Sequence, residues 1–172
     1  FEVEGGGPLP AVLKGRFNAY LPEGFRILEI WHLPEDAKSV AAQVAAAKYR
    51  IEIPFFFSYM EATMDFFGQE HIITEKTSKK TKRSEKVNIR PQIISLKPLL
   101  VNDNIIMLTS MLHCGSLSNL NPELMLRCFY QCSGKAYDRG AIRIERVALL
   151  GWGEDELLPL EYLQGAGGSA NP

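Results

Sequence analysis

The chain switches repeatedly between two spacings of apolar residues, alternation and helical period, and the switches mark its elements. The longest ordered pattern is Val87–Cys132, VNIRPQIISLKPLLVNDNIIMLTSMLHCGSLSNLNPELMLRCFYQC. It predicts strand, bend, strand, turn, strand, loop and helix. Pro91 bends the chain, and Asn102-Asp103 joins the apolar strands Ile93–Leu99 and Ile105–Leu112 through a turn. Cys114-Gly115-Ser116 ends the second strand. Asn121 then caps a helix with Pro122 in its first position and Glu123 beside its positive end. Leu124, Met125, Cys128, Phe129 and Cys132 form the apolar face.

The flanking segments are shorter. FEVE is strand-like and runs into Gly5–Gly7. A helix from Pro10 places Leu9, Leu13, Phe17 and Tyr20 or Leu21 on one face, and Pro22 and Gly24 stop it. Phe25–Leu33 alternates as a strand that Pro34 ends. VAAQVAAA, within the Pro34–Ala47 connection, reads as a short helix or a packed linker. Tyr49–Ile53 (YRIEI) alternates. Ser58 and Glu61 fit a capping box for a helix over Tyr59–Phe67, whose Met60, Met64 and Phe67 are expected in the core and which Gly68 closes. His71–Thr77 and Lys86–Arg90 are the arms of a hairpin, and Ile142–Leu150 is a last strand. Beyond Trp152 the chain is acidic and then rich in Gly and Ser, as in a disordered end.

From Tyr49 onward the order is β-α-β-β-β-α-β. With one hairpin arm set aside, this is the split β-α-β pattern of ferredoxin-like folds. The expected fold is α+β: a ferredoxin-like split β-α-β sheet with helices on one face, preceded by a partial second α+β unit. Residues 1–34 would be the C-terminal part of the first unit, 35–47 a linker, 48–152 the second unit with its basic hairpin, and 153–172 a tail. In 172 residues that is one medium domain or two small ones.

Composition narrows the setting. Charged residues are 23% and apolar residues 46% of the chain, as in water-soluble globular proteins. No apolar run approaches the roughly 20 residues of a membrane helix. Three cysteines make no disulfide framework and fit a reducing cytoplasm. Phe1 opens directly into strand-like sequence without an initiator Met, so the natural polypeptide is expected to continue upstream.

The formal charge of −1 is unevenly spread. Between Lys76 and Arg90 stand seven basic residues, Lys76, Lys79, Lys80, Lys82, Arg83, Lys86 and Arg90, against the single acid Glu85. On a hairpin, alternate residues share a face, so several of these cations could line one surface suited to phosphates. A lysine-rich edge that prevents pairing with other sheets explains the same residues, as does a protein partner.

Other constellations carry less. Cys128 and Cys132 are one helical turn apart, but no further ligands follow at metal-site spacing, and their apolar neighbours favour core thiols. His113 and Cys114 are adjacent on a strand, where neighbouring side chains point to opposite faces. His32 and His71 stand singly on strands. The acidic groups Glu35-Asp36 and Glu154-Asp155-Glu156 read as solvated loop charges. GGG and GAGG lack the strand–loop–helix context of a phosphate cradle. The chain is therefore expected to bind no cofactor and no metal.

NAYLPEGFRILE (Asn18–Glu29), KYRIEI, KVNIRPQIISL (Lys86–Leu96) and CGSLSNLNPELML together resemble the radical-SAM-linked bacterial domain of unknown function, which is fused to or encoded beside radical S-adenosylmethionine proteins. The resemblance covers roughly Phe1 to Trp152. That family's usual beginning is missing here, which implies N-terminal truncation. It also implies a radical SAM protein or domain as partner, whose cluster-binding Cys-x₃-Cys-x₂-Cys belongs to that partner. Here Lys135 stands where a third cysteine would follow Cys128 and Cys132. The resulting expectation is a non-catalytic accessory or substrate-binding domain, presenting RNA. An independent nucleic-acid-binding module and a free-standing enzyme are the alternatives.

Overall fold

The computed structural model describes residues 10–30, 38–77, 84–116 and 118–164. Its centre is the antiparallel pair β1 (Ala46–Pro54) and β5 (Ile105–His113). In β1 the odd positions Ala47, Tyr49, Ile51 and Ile53 are buried, and in β5 the even positions Ile106, Leu108, Ser110 and Leu112. The register sets these two rows side by side, Ala47 opposite Leu112 through to Ile53 opposite Ile106. One apolar face results, as a period of two requires.

Strand β4 (Ile93–Asn102) pairs outside β5, β6 (Arg143–Trp152) outside β1, and β7 (Leu157–Pro159) outside β6. The order is β4-β5-β1-β6-β7, every neighbouring pair antiparallel. The β4–β5 turn is closed by Asn102, whose Oδ1 accepts from the Asn104 amide at 2.9 Å. Strands β2 (Ile73–Thr77) and β3 (Ser84–Asn88) form a separate two-stranded sheet. A 3₁₀ turn, Arg90–Gln92 around Pro91, leads from it into β4.

Helices α3 (Tyr59–Gly68) and α4 (Pro122–Cys132) cover the apolar face. Asn121 caps α4 by accepting the Glu123 amide at 2.9 Å, with Pro122 where a free N–H would be unpaired. Phe129 is the centre of the packing. Its ring meets Phe66 edge-on at 5.5 Å, Tyr130 edge-on at 5.8 Å and Phe56 at 6.2 Å.

Several expectations are corrected. On α3 the buried side chains are Thr63 and Phe66, while Met60 and Met64 are 44% and 68% exposed. Thr63 can turn inward because its hydroxyl donates to the Tyr59 carbonyl at 2.7 Å. Ser58 makes no side-chain cap. On α4 Cys132 is exposed, with the Gln69 amide 3.7 Å from its sulfur, while Cys128 is buried. Ala46 and Ala47, placed in a linker by their sequence, are fully buried in β1, which is paired on both sides by β5 and β6.

Of the strand–helix–strand opening, helix α1 (Pro10–Tyr20) forms, with no residue fully buried. Residues 25–30 are not strand. The Asn18 amide instead pairs with both backbone groups of Ile27, accepting at 2.7 Å and donating at 3.1 Å. FEVE and residues 31–33 lie outside the described residues. The connection contains α2 (Val40–Gln43), capped by Ser39. Past Trp152 the chain turns back to add β7 and then α5 (Leu160–Gln164), so part of the expected tail is ordered. No described helix is long and apolar enough to cross a membrane. The fold is α+β, a curled antiparallel sheet with a few helices.

Candidate nucleic-acid-binding face

The basic run divides three ways. Lys79, Lys80, Lys82 and Arg83 lie outside the described residues. Lys76 and Lys86 sit on β2 and β3, but the register sends them to opposite faces of the hairpin. Lys76 is opposite Glu85 and shares its face with Thr74 and Val87; Lys86 is opposite Glu75 and shares its face with Ile73. Val87 packs on the core while Ile73 is exposed, so Lys76 is on the inward face and Lys86 on the outward one. Each lysine also faces a carboxylate across the ladder, which reduces the field it presents.

Arg90 is held by the fold. Its guanidinium lies 4.2 Å from the Phe67 ring centroid, and its Nη1 donates to the Ile93 carbonyl at 3.1 Å. Asn88 fixes the hairpin base: Oδ1 accepts from the Ile72 and Arg90 amides at 2.9 and 3.1 Å, and Nδ2 donates to His71 Nδ1 at 3.0 Å. The described cations of the run therefore do not form one surface.

A second group of cations does. On the sheet face opposite α3 and α4, the register aligns three rows across β4, β5, β1 and β6. They are Ser95–Met111–Lys48–Ala148, Lys97–Thr109–Arg50–Glu145 and Leu99–Met107–Glu52–Arg143. Met107, Thr109 and Met111 are half-buried along the middle, and Lys48, Arg50, Lys97 and Arg143 are exposed around them. Arg50 pairs with Glu145 at 3.4 Å, both ends in solvent. Lys48, Lys97 and Arg143 make no ion pair among the described residues. With neighbouring strands about 4.8 Å apart, Lys97 and Arg50 flank Thr109 at about 10 Å. The face thus offers an apolar floor along β5 with Lys97 on one side and Lys48 and Arg50 on the other. Arg50 faces Glu145 and Arg143 faces Glu52 across the ladder, which leaves Lys48 and Lys97 without a facing acid. Such an arrangement favours an extended polyanion with an apolar side.

These four residues escaped the sequence reading because they fall in three separate stretches of the chain, Lys48 with Arg50, Lys97, and Arg143. The alternation of YRIEI did place Arg50 away from Ile51. Only the pairing of four strands, β4-β5-β1-β6, joins it to Lys97 and Arg143.

Burial pushes the Tyr49 hydroxyl above its ordinary range, the neighbouring Cys114 adds to this and Arg146 opposes it. No three described residues of metal-ligand type cluster.

No curated protein and no solved structure matches the chain. One family model does, over residues 8–122, from the approach to α1 to the cap of α4. On that match, about two thirds of its length, the chain belongs to the family described as "Uncharacterized protein conserved in bacteria (DUF2344)".

Proposed function

We propose that this chain is a non-catalytic accessory domain that holds RNA for a radical S-adenosylmethionine protein, on a ferredoxin-like scaffold. The scaffold reading rests on connectivity. With the hairpin set aside, β1-α3-β4 and β5-α4-β6 are crossovers that interleave as β4-β5-β1-β6, as two split β-α-β units would. The radical SAM partner is implied by the sequence resemblance.

The observation that carries RNA binding is the sheet face on which Lys97 and Lys48 flank the half-buried row of β5. Four-stranded sheets of RNA-recognition domains stack bases on aromatic side chains. Here β5 presents Met107, Thr109 and Met111 at the centre, so most of the contact falls to phosphates and the binding is tolerant of sequence. Lys79, Lys80, Lys82 and Arg83 belong to the proposal on charge alone.

The test is a tagged chain incubated with bacterial extract, with RNA and protein recovered separately and a Lys48→Glu/Lys97→Glu chain as control. RNA together with a radical SAM protein is expected from the parent, and much less RNA from the variant. RNA without that protein would make the chain an independent nucleic-acid-binding module. Recovery of neither contradicts the proposal.

A further inference from the structure

The end of the sheet beyond these rows carries a groove that the reading above does not use. It has a volume of about 590 Å³ and is lined by Lys38, Gln43, His113, Ser116, Ser118 and Trp152, among others. Two glycines shape it. The backbone at 43–45 lies between the ends of β5 and β6, with the Ala45 amide donating to Leu150 and the Ala45 carbonyl accepting from Cys114. A Cβ on Gly115 would stand 2.5 Å from the Val44 carbonyl oxygen, and one on Gly151 would stand 2.7 Å from that of Gln43. Only glycine allows this approach.

The lining is chemically mixed. Trp152 is 63% exposed, an unusual amount for an indole in a concavity. Lys38 makes no ion pair among the described residues. His113, Ser116 and Ser118 are the other polar residues of the lining beside Gln43. A ligand that uses all of these has a flat aromatic part and an anionic part.

We infer that the groove receives one nucleotide, its base stacked on Trp152 and its phosphate held by Lys38, with His113 and the serine hydroxyls at the sugar and phosphate. The site deepens the RNA reading of the sheet face and rests on it for its substrate class. His113 is two and four residues beyond Met111 and Thr109 on the same side of β5, so the groove lies about 14 Å along the strand from the Lys97–Thr109–Arg50 row. An RNA strand laid along the face would end with a base in the groove. A free nucleotide has the same chemistry.

The test uses tryptophan emission. The chain has two tryptophans, so a Trp31→Phe background leaves Trp152 as sole reporter. Nucleoside 5′-monophosphates should quench it saturably, whereas inorganic phosphate at equal ionic strength should not. Lys38→Ala should weaken the nucleotide by about tenfold, the loss of one charge-assisted contact. Trp152→Ala, at an exposed position, should keep the circular dichroism of the parent. In that variant a short single-stranded oligoribonucleotide should bind more weakly while its salt dependence is unchanged. A preference for the oligonucleotide over the mononucleotide identifies an RNA strand as the source, and the reverse identifies a free nucleotide. If nucleotides leave Trp152 unquenched while the oligonucleotide binds with steep salt dependence, the groove site is overturned and the face reading stands. If nucleotides quench and the oligonucleotide does not bind, the site stands and the RNA reading fails.

Discussion

Phe129 and Met64 both sit on helices at apolar spacing, and replacing each by alanine should give very different results. Phe129 is 0% exposed and touches Phe66, Phe56 and Tyr130. Deleting its ring removes a fully buried aromatic and leaves a cavity among rings on α3, α4 and the loop after β1. Such truncations cost about 3–5 kcal/mol, the pairwise ring terms included. Against a total stability of roughly 5–15 kcal/mol, that is a large fraction. With a urea dependence of about 1–3 kcal/mol per molar, the midpoint should fall by roughly 2 M. Phe129→Leu should fall by less, about 1 kcal/mol, and remain folded enough to measure. Met64, 68% exposed, should change by less than about 0.5 kcal/mol as alanine. Equilibrium urea melts followed by circular dichroism decide it. Equal losses at the two positions, or a larger one at Met64, would refute the assignment of the buried faces.

Three further outcomes are expected. Asn121→Ala should cost about 1 kcal/mol in the same melts by leaving the Glu123 amide unpaired, and Asn121→Asp should restore most of it. Gly115→Ala should cost about 1–3 kcal/mol, because its Cβ meets backbone that cannot rotate away. Burial raises the Cys128 thiol and the Tyr49 and Tyr130 hydroxyls. The folded chain therefore keeps these protons to higher pH than the unfolded chain. Stability should be full below the ordinary thiol value of about 8.5 and decline as pH rises through the raised values. The urea midpoint across pH 7–11 reads this, and a thiol reagent should modify exposed Cys132 well before Cys128.

The parts of this fold legible in the sequence are those set by local chemistry. Tyr49–Ile53 alternates and Ile105–Leu112 is a short apolar run, so both were legible as strands, although the second gave no sign that Ser110 would face the core. Asn121-Pro122 and Asn102-Asp103 mark a cap and a turn. Elements decided by distant pairing were not legible. Ala46 and Ala47 carry helix-favouring side chains but are drawn into β1 by hydrogen-bonded neighbours on both sides. Leu157–Pro159 becomes strand only because Leu150–Trp152 offers an open edge. On α3, Met60/Met64/Phe67 and Thr63/Phe66 both satisfy helical spacing. Packing on β4 and α4 buries Thr63 and Phe66, keeps Phe67 against the core and leaves Met60 and Met64 exposed. The site followed the same division. The dense run Lys76–Arg90 is visible in one dimension, while Lys48, Arg50, Lys97 and Arg143 meet only through strand register. Conversely, register parts Lys76 from Lys86, which density alone had grouped.

The most direct test of the sheet face as an RNA surface is the salt dependence of its affinity for single-stranded RNA. Each phosphate neutralised contributes about −0.7 to the slope of log K against log salt. Lys48→Glu/Lys97→Glu should weaken binding and flatten that slope by about 1.4, leaving the melting temperature within a degree or two, because exposed unpaired charges contribute little to stability. Reversing Lys79, Lys80 and Lys82 should flatten it by about two more. A parent slope near zero, or a Lys48/Lys97 variant whose slope and affinity equal the parent's, would contradict the proposal.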